Sequence, residues 1–174
     1  MGNLAANMDW VLLREAVDRT PAVSWVFVGP TTMEVPDGEQ RAARRELIGR
    51  VGRVRFTGAK PYGQLRDYAR ALDLAIIPYH KHEPNFSGTP ARFYEHLAAC
   101  RPMLATRAVA ELLSKGRLLK LVDNGAHLAA EIQRLQSTGF RDGLEELRWS
   151  TSRNETWEAR AKTVIDAVEQ SKEP

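Results

Sequence analysis

Short apolar runs that end in turn chemistry, separated by segments of helical periodicity, constrain this chain more than any other feature. Ser24–Val28 runs into Gly29-Pro30, Val54–Phe56 into Thr57-Gly58, Leu74–Ile77 into Pro78, and Met103–Ala105 into Thr106. The continuous apolar run that ends in Gly29-Pro30 has the form of a strand buried on both faces, as in a parallel sheet, and the other three read as strands. Between them lie helical stretches: Asp9–Arg19 carries Val11, Leu12, Glu15, Ala16 and Arg19 at helical spacing and is closed by Pro21. Glu39–Ile48, Gln64–Leu72 and Pro90–Cys100 read as further helices, Leu118–Val122 as a last strand with Ala126–Gln136 behind it, and Gly143–Leu147 and Thr156–Gln170 as C-terminal helices. Alternation of this kind predicts an α/β fold, a doubly wound parallel sheet with helices on both faces. Ligands of such sheets bind outside the carboxyl ends of the strands. Gly58–Pro61, Pro78–Thr89 and Thr106-Arg107 fall there.

Composition narrows the partners. A chain of 174 residues, 43% hydrophobic and 27% charged, is sized and composed as one folded domain. Its net charge of +3 is spread along the chain rather than gathered into a basic stripe, so no nucleic-acid partner is expected. The lone Cys100 forms no internal disulfide and reads as a small buried hydrophobe. No ligand series for zinc or iron–sulfur is present, so no metal is expected, and no cofactor. No apolar run is long enough to span a bilayer and no signal peptide opens the chain. A cytoplasmic location is the expectation, peripheral at the inner membrane face if a further domain carries it there. The tryptophans Trp10, Trp25, Trp149 and Trp157 read as core or helix-packing residues.

The chemistry concentrates in the segment from Asn85 to Thr106. Thr89 reads as an N-cap and Pro90 as the first helical residue, with Gly88 upstream leaving the backbone amides open. An anion, most naturally a phosphate, suits such a helix start. Glu95, further along the same helix, is placed to accept hydrogen bonds from a ribose diol; the alternative is a solvated acid paired with Arg92. Arg92 itself reads equally as a diphosphate contact or as an i, i+3 partner of Glu95. Together these residues point to a nucleotide diphosphate.

The run Ser87-Gly-Thr-Pro-Ala-Arg-Phe-Tyr-Glu-His-Leu-Ala-Ala-Cys-Arg-Pro-Met-Leu-Ala-Thr106 resembles the donor-site motif of GT-B glycosyltransferases of the retaining, GT4-like kind. Val26–Pro30 resembles the second strand of that family's C-terminal domain, Val54–Gly58 its third strand and base-binding turn, and Ala71–Tyr79 its fourth. The resemblance covers roughly residues 2 to 136. It implies a Rossmann-like donor-binding domain over residues 1–147, with a C-terminal helical extension, 148–174, packed on it. The implied donor is a UDP- or GDP-linked sugar, transferred with retention to an acceptor glycan or lipid-linked glycan. Glu95 would receive the ribose; Ser87, Gly88, Thr89 and Arg92 would face the diphosphate; Gly58, Ala59 and Lys60 would read the base. No catalytic nucleophile is identified.

The sequence also departs from that pattern. Ser87 stands where the family carries an acid facing the sugar, and it hydrogen-bonds without charge at neutral pH. Asn3 and Asn7 stand where relatives place Arg and Lys against the diphosphate, with Lys60 and Arg92 as compensating cations. Glu83, His80 and His82 in the loop after Pro78 are secondary candidates. The family's first strand and its N-terminal acceptor domain have no counterpart here, so the expectation is a fragment that binds donor without appreciable turnover. Two other readings are a nucleotide-binding module without transferase activity and part of a GT-B-type sugar-nucleotide epimerase.

Overall fold

The computed structural model describes residues 1–81 and 83–170, the side chains of 83 and 84 excepted. Every strand is parallel to its neighbour, and helices cover both faces. The strands are β1 (Trp25–Phe27), β2 (Val54–Phe56), β3 (Ala75–Ile77), β4 (Met103–Thr106) and β5 (Lys120–Val122). The first helices are α1 (Trp10–Arg19), α2 (Gly38–Ile48) and α3 (Tyr62–Ala71). After β3 come α4 (Glu83–Phe86) and α5 (Ala91–Leu97), then α6 (Ala110–Leu113), α7 (Gly125–Ser137), α8 (Glu145–Asn154) and α9 (Trp157–Gln170).

Local chemistry explains several of the boundaries. Asp9 is the N-cap of α1 rather than its first residue, its carboxylate accepting from Leu12 N–H at 2.9 Å. Asp37 caps α2 at Gln40 N–H and Asn124 caps α7 at His127 N–H, both at 2.8 Å. The helix expected over Pro90–Cys100 is shorter. Pro90 is the N-cap, Thr89 supplies no side-chain cap, and the helix ends at Leu97. Cys100 then takes φ +58, a left-handed conformation incompatible with continuing the helix, and it is half-buried rather than buried.

The helices sort onto the two faces by the alternation of strand side chains. On β4, Leu104 belongs to one apolar cluster while Met103 and Ala105 belong to another, so this strand is buried on both sides. The first cluster joins α1, α2 and α7 to β1 and β2 around Trp10, Phe27 and Phe56. Phe27 and Phe56 sit opposite each other in the β1–β2 register and stack with ring centroids 4.6 Å apart. The second cluster packs Phe93 and Leu97 of α5 and Leu112 of α6 on Ile77, Met103 and Ala105. Trp149 and Trp157 do not share this packing: they are 47% and 82% exposed. What anchors α8 is Arg148, fully buried, which donates to Leu118 C=O at 2.8 Å and forks onto both carboxylate oxygens of Asp142.

The sheet is in two pieces. β1 pairs with β2, and β3, β4 and β5 form a separate ladder in that order. The first nine residues bridge the pieces at the C-terminal ends of β1 and β3. Gly2 and Leu4 N–H donate to Val28 and Pro30 C=O, while Asp9 N–H donates to Pro78 C=O and Asn7 C=O accepts from His80 N–H. Below this bridge, between the facing edges of β1 and β3, lies a cleft of about 470 Å³.

Candidate functional site

The turns that leave the strands are built by close backbone approach. Gly29, directly after Val28, has φ +144, and a Cβ there would lie 1.9 Å from Gly2 C=O. No other residue fits against the amino-terminal segment at that point. Gly29 N–H donates to Gly58 C=O at 3.0 Å, holding the turns after β1 and β2 together, and Gly58 takes φ +71. The Gly58-Ala59-Lys60 turn then leads through Pro61 into α3. Gly58 and Ala59 are exposed and Lys60 is half-buried.

Glu95 sits half-buried on α5 and lines a cavity of about 450 Å³ with Tyr62, Gly63, Leu65 and Arg66 from the first turns of α3. The acid expected to meet a ribose and the helix continuous with the expected base-reading turn therefore border one space. Among the described residues Glu95 makes no hydrogen bond or salt bridge, so the alternative i, i+3 pair with Arg92 does not form. Tyr62, 78% exposed, and Arg66 were not singled out from sequence. The signal available was an aromatic residue opening the helix that follows a glycine turn.

Arg92 points the other way. It is buried, and its guanidinium donates to Asn3 C=O at 2.6 Å and lies 5.2 Å from the Tyr79 ring centroid. Tyr79 C=O in turn accepts from the Thr106 hydroxyl at 2.7 Å, tying the end of β4 to the loop after β3. Asn85 Nδ2 donates to Asn7 C=O and His80 C=O, at 3.1 and 2.8 Å. Asn3, Asn7, His80 and Arg92, called out separately in the sequence, thus meet in one polar knot, where Asn7 Oδ1 is buried without a partner. Ser87 and Thr89 are exposed in the loop between α4 and α5, with Gly88 half-buried beside them. His82 and the Glu83 side chain lie outside the described residues.

Electrostatics connect the knot with Glu95. Burial lowers the pKa of the Met1 amino group to about 5, helped by the Arg92 charge and opposed by Glu95. His96, next to Glu95, is 2% exposed and its Nδ1 has no partner. Burial, the amino terminus and Arg92 push its pKa down to about 3, so it is neutral under ordinary conditions. One helix turn therefore carries an unengaged acid toward the α3 cavity, a neutral imidazole toward the inter-sheet cleft, and a cation under the amino-terminal loop.

Among the described residues no helix is long and apolar enough to cross a membrane. No family model matches the chain. Over 168 residues it is 21% identical to a Bacillus subtilis (strain 168) protein named "Putative teichuronic acid biosynthesis glycosyltransferase TuaH". The match takes in 95% of this chain and 41% of that protein, so the chain spans less than half the length of the curated relative it matches. The similarity supports a glycosyltransferase-like chain.

Proposed function

We propose that this chain is the nucleotide-diphosphosugar-binding part of a glycosyltransferase that transfers a sugar to a glycan or lipid-linked acceptor with retention. The observation that carries the reading is the unengaged Glu95 carboxylate facing the first turns of α3 across a shared cavity. A carboxylate without a protein partner, across a shared cavity from Tyr62, Gly63, Leu65 and Arg66 of the helix that follows the turn of Gly58, Ala59 and Lys60, suits a ribose diol whose base reaches toward that turn. Ser87, Gly88 and Thr89, in the loop leading into α5, take the diphosphate in this reading, and Arg92, bonded to Asn3 C=O, contributes its charge without a direct contact. Transfer would then rest on positioning and on stabilising the departing diphosphate. The similarity to a protein named for teichuronic acid biosynthesis agrees with a surface-glycan role.

Calorimetric titration with UDP and GDP tests the reading. One of the two binds, and Glu95→Ala weakens it about 10- to 100-fold, the loss of a charge-assisted hydrogen bond or two. Equal affinity in the variant removes Glu95 from the site. The commitment of Arg92 to Asn3 C=O favours a second reading, a nucleotide-binding module without transfer. Product analysis of the full-length parent protein with a sugar nucleotide separates them: a new glycoside marks a transferase, an altered donor sugar an epimerase, and neither marks a binding module.

A further inference from the structure

The first turn of α3 carries a glycine that the fold does not ask for. Gly63 is the second residue of the helix, its φ lies outside the left-handed region, and a Cβ placed on it would meet nothing within 4 Å. Glycine is the poorest helix former after proline, so neither conformation nor packing explains its place here. What it provides is bare backbone bordering the cavity that Glu95 lines. Tyr62 stands beside it, 78% exposed, and Leu65 and Arg66 follow at the i+3 and i+4 positions from Tyr62. A flat ring fits such a wall, stacking on the tyrosine and lying against peptide that a side chain at position 63 would cover.

The hydrogen-bonding groups around this wall are mostly donors. Pro61 caps α3 without a side-chain bond, and among the described residues the N–H groups of Tyr62 and Gly63 have no partner. Nor do those of Ala59 and Lys60 in the turn before. Arg66 adds a guanidinium whose ion pair, to Asp67 at 3.7 Å, is loose and exposed on both sides. Acceptors are fewer. Gly58 C=O already accepts from Gly29 N–H at 3.0 Å and from the Thr57 hydroxyl at 3.2 Å, and among the described residues Glu95 is the one carboxylate lining the cavity.

A base suited to this wall shows carbonyl oxygens and few N–H groups. Uracil has two ring carbonyls and a single N–H. Adenine and cytosine each turn an amino group toward the donors. Guanine offers O6 and N7 to an arginine, but its remaining edge brings three N–H hydrogens, and the nearby carboxylate is already held by the ribose. Thymine shares the edge of uracil but comes on a deoxyribose that lacks the diol.

We propose that the first turns of α3 select uracil, so that the donor is a uridine diphosphosugar: the base stacks on Tyr62 and on the bare turn at Gly63, and Arg66 with the main-chain N–H groups takes the uracil carbonyls. The proposal rests on the reading of Glu95 as the ribose ligand and names the nucleotide of that same site. Tyr62, Gly63 and Arg66 lie beyond the turn that the family resemblance assigns to the base.

The test is calorimetric titration with UDP and GDP of the parent chain and of Tyr62→Ala, Tyr62→Phe, Gly63→Leu and Glu95→Ala, each with its melting temperature. UDP is expected to bind about tenfold tighter than GDP or better. Tyr62→Ala weakens UDP about 5- to 100-fold and Tyr62→Phe retains it, as stacking requires. Gly63→Leu weakens it about tenfold or more while the melting temperature holds or rises, because leucine favours a helix and a Cβ there meets no neighbour. UDP affinity that is the same in Tyr62→Ala or Gly63→Leu as in the parent overturns the proposal. GDP binding as tight as UDP or tighter, still weakened by Glu95→Ala, overturns the base selection and leaves the ribose reading standing. Binding indifferent to Glu95→Ala, or none by either nucleotide in a folded sample, overturns both.

Discussion

The stability of this protein is expected to fall as pH is lowered, with His96 and the buried Met1 amino group as two identifiable causes, of which His96 can be isolated by substitution. His96 is 2% exposed, and burial, the amino terminus and Arg92 hold its pKa near 3, against 6.5 for an ordinary histidine. A base with a depressed pKa binds fewer protons folded than unfolded, so its contribution is complete above pH 6.5 and is lost as pH falls toward 3. From pH 7.5 to pH 5.0 the linkage gives a loss of about 2 kcal/mol from this one group. Urea unfolding at the two values measures it, with His96→Leu as the comparison because leucine keeps the bulk without titrating. The variant should lose about 2 kcal/mol less than the parent over the same interval, at unchanged m-value. Parallel losses in the two proteins would falsify the assignment of His96 as a buried neutral imidazole.

Three further substitutions report on the framework. Asp142→Ala leaves the fully buried Arg148 guanidinium without its carboxylate and should cost about 3–5 kcal/mol in urea unfolding, whereas an effect under 1 kcal/mol would mean the pair is solvated. Gly29→Ala forces a Cβ onto Gly2 C=O at φ +144, and a loss of about 2–4 kcal/mol is expected; wild-type stability would show that the amino-terminal segment is not held there. Tyr94→Phe removes the hydrogen bond to Glu111 but keeps the ring under the Arg160 guanidinium, 4.4 Å from its centroid, so the loss should be only about 1 kcal/mol.

Where sequence and structure agree, the determinant is local and repeated. The runs at Trp25, Ala75 and Met103 announce buried parallel strands because each is apolar without interruption and ends at a glycine, proline or threonine, while Val54–Phe56, with the exposed Arg55 between two apolar residues, is marked chiefly by its end at Thr57-Gly58. Helices with a stripe, such as α1 and α7, appear in place within a residue or so. The misses come from tertiary effects. The short α4 and α6 are too brief to show a period. The early end of α5 follows from a left-handed Cys100 that no residue preference predicts. Exposure of Trp157 depends on what packs against α9, which spacing alone does not encode. At the candidate site, the placing of Glu95 on a helix was legible from its motif, but the turning of Arg92 toward Asn3 and Tyr79 was not, because its partners lie far away in sequence. The pairing of Arg148 with Asp142 was invisible for the opposite reason: an arginine in a polar helix reads as surface.

The central claim is that Glu95 and the Gly58–Lys60 turn border one nucleotide site. The direct measurement is a two-dimensional amide NMR titration of the isotope-labelled chain with UDP and with GDP. The account predicts that one of them shifts the amides of Gly58, Ala59 and Lys60, of Glu95, and of Gly88 and Thr89 in a single saturating event, with Val122 and the α7 amides unmoved. Saturable shifts confined to other regions, or none with either nucleotide in a sample whose dispersed spectrum shows it is folded, would contradict the claim.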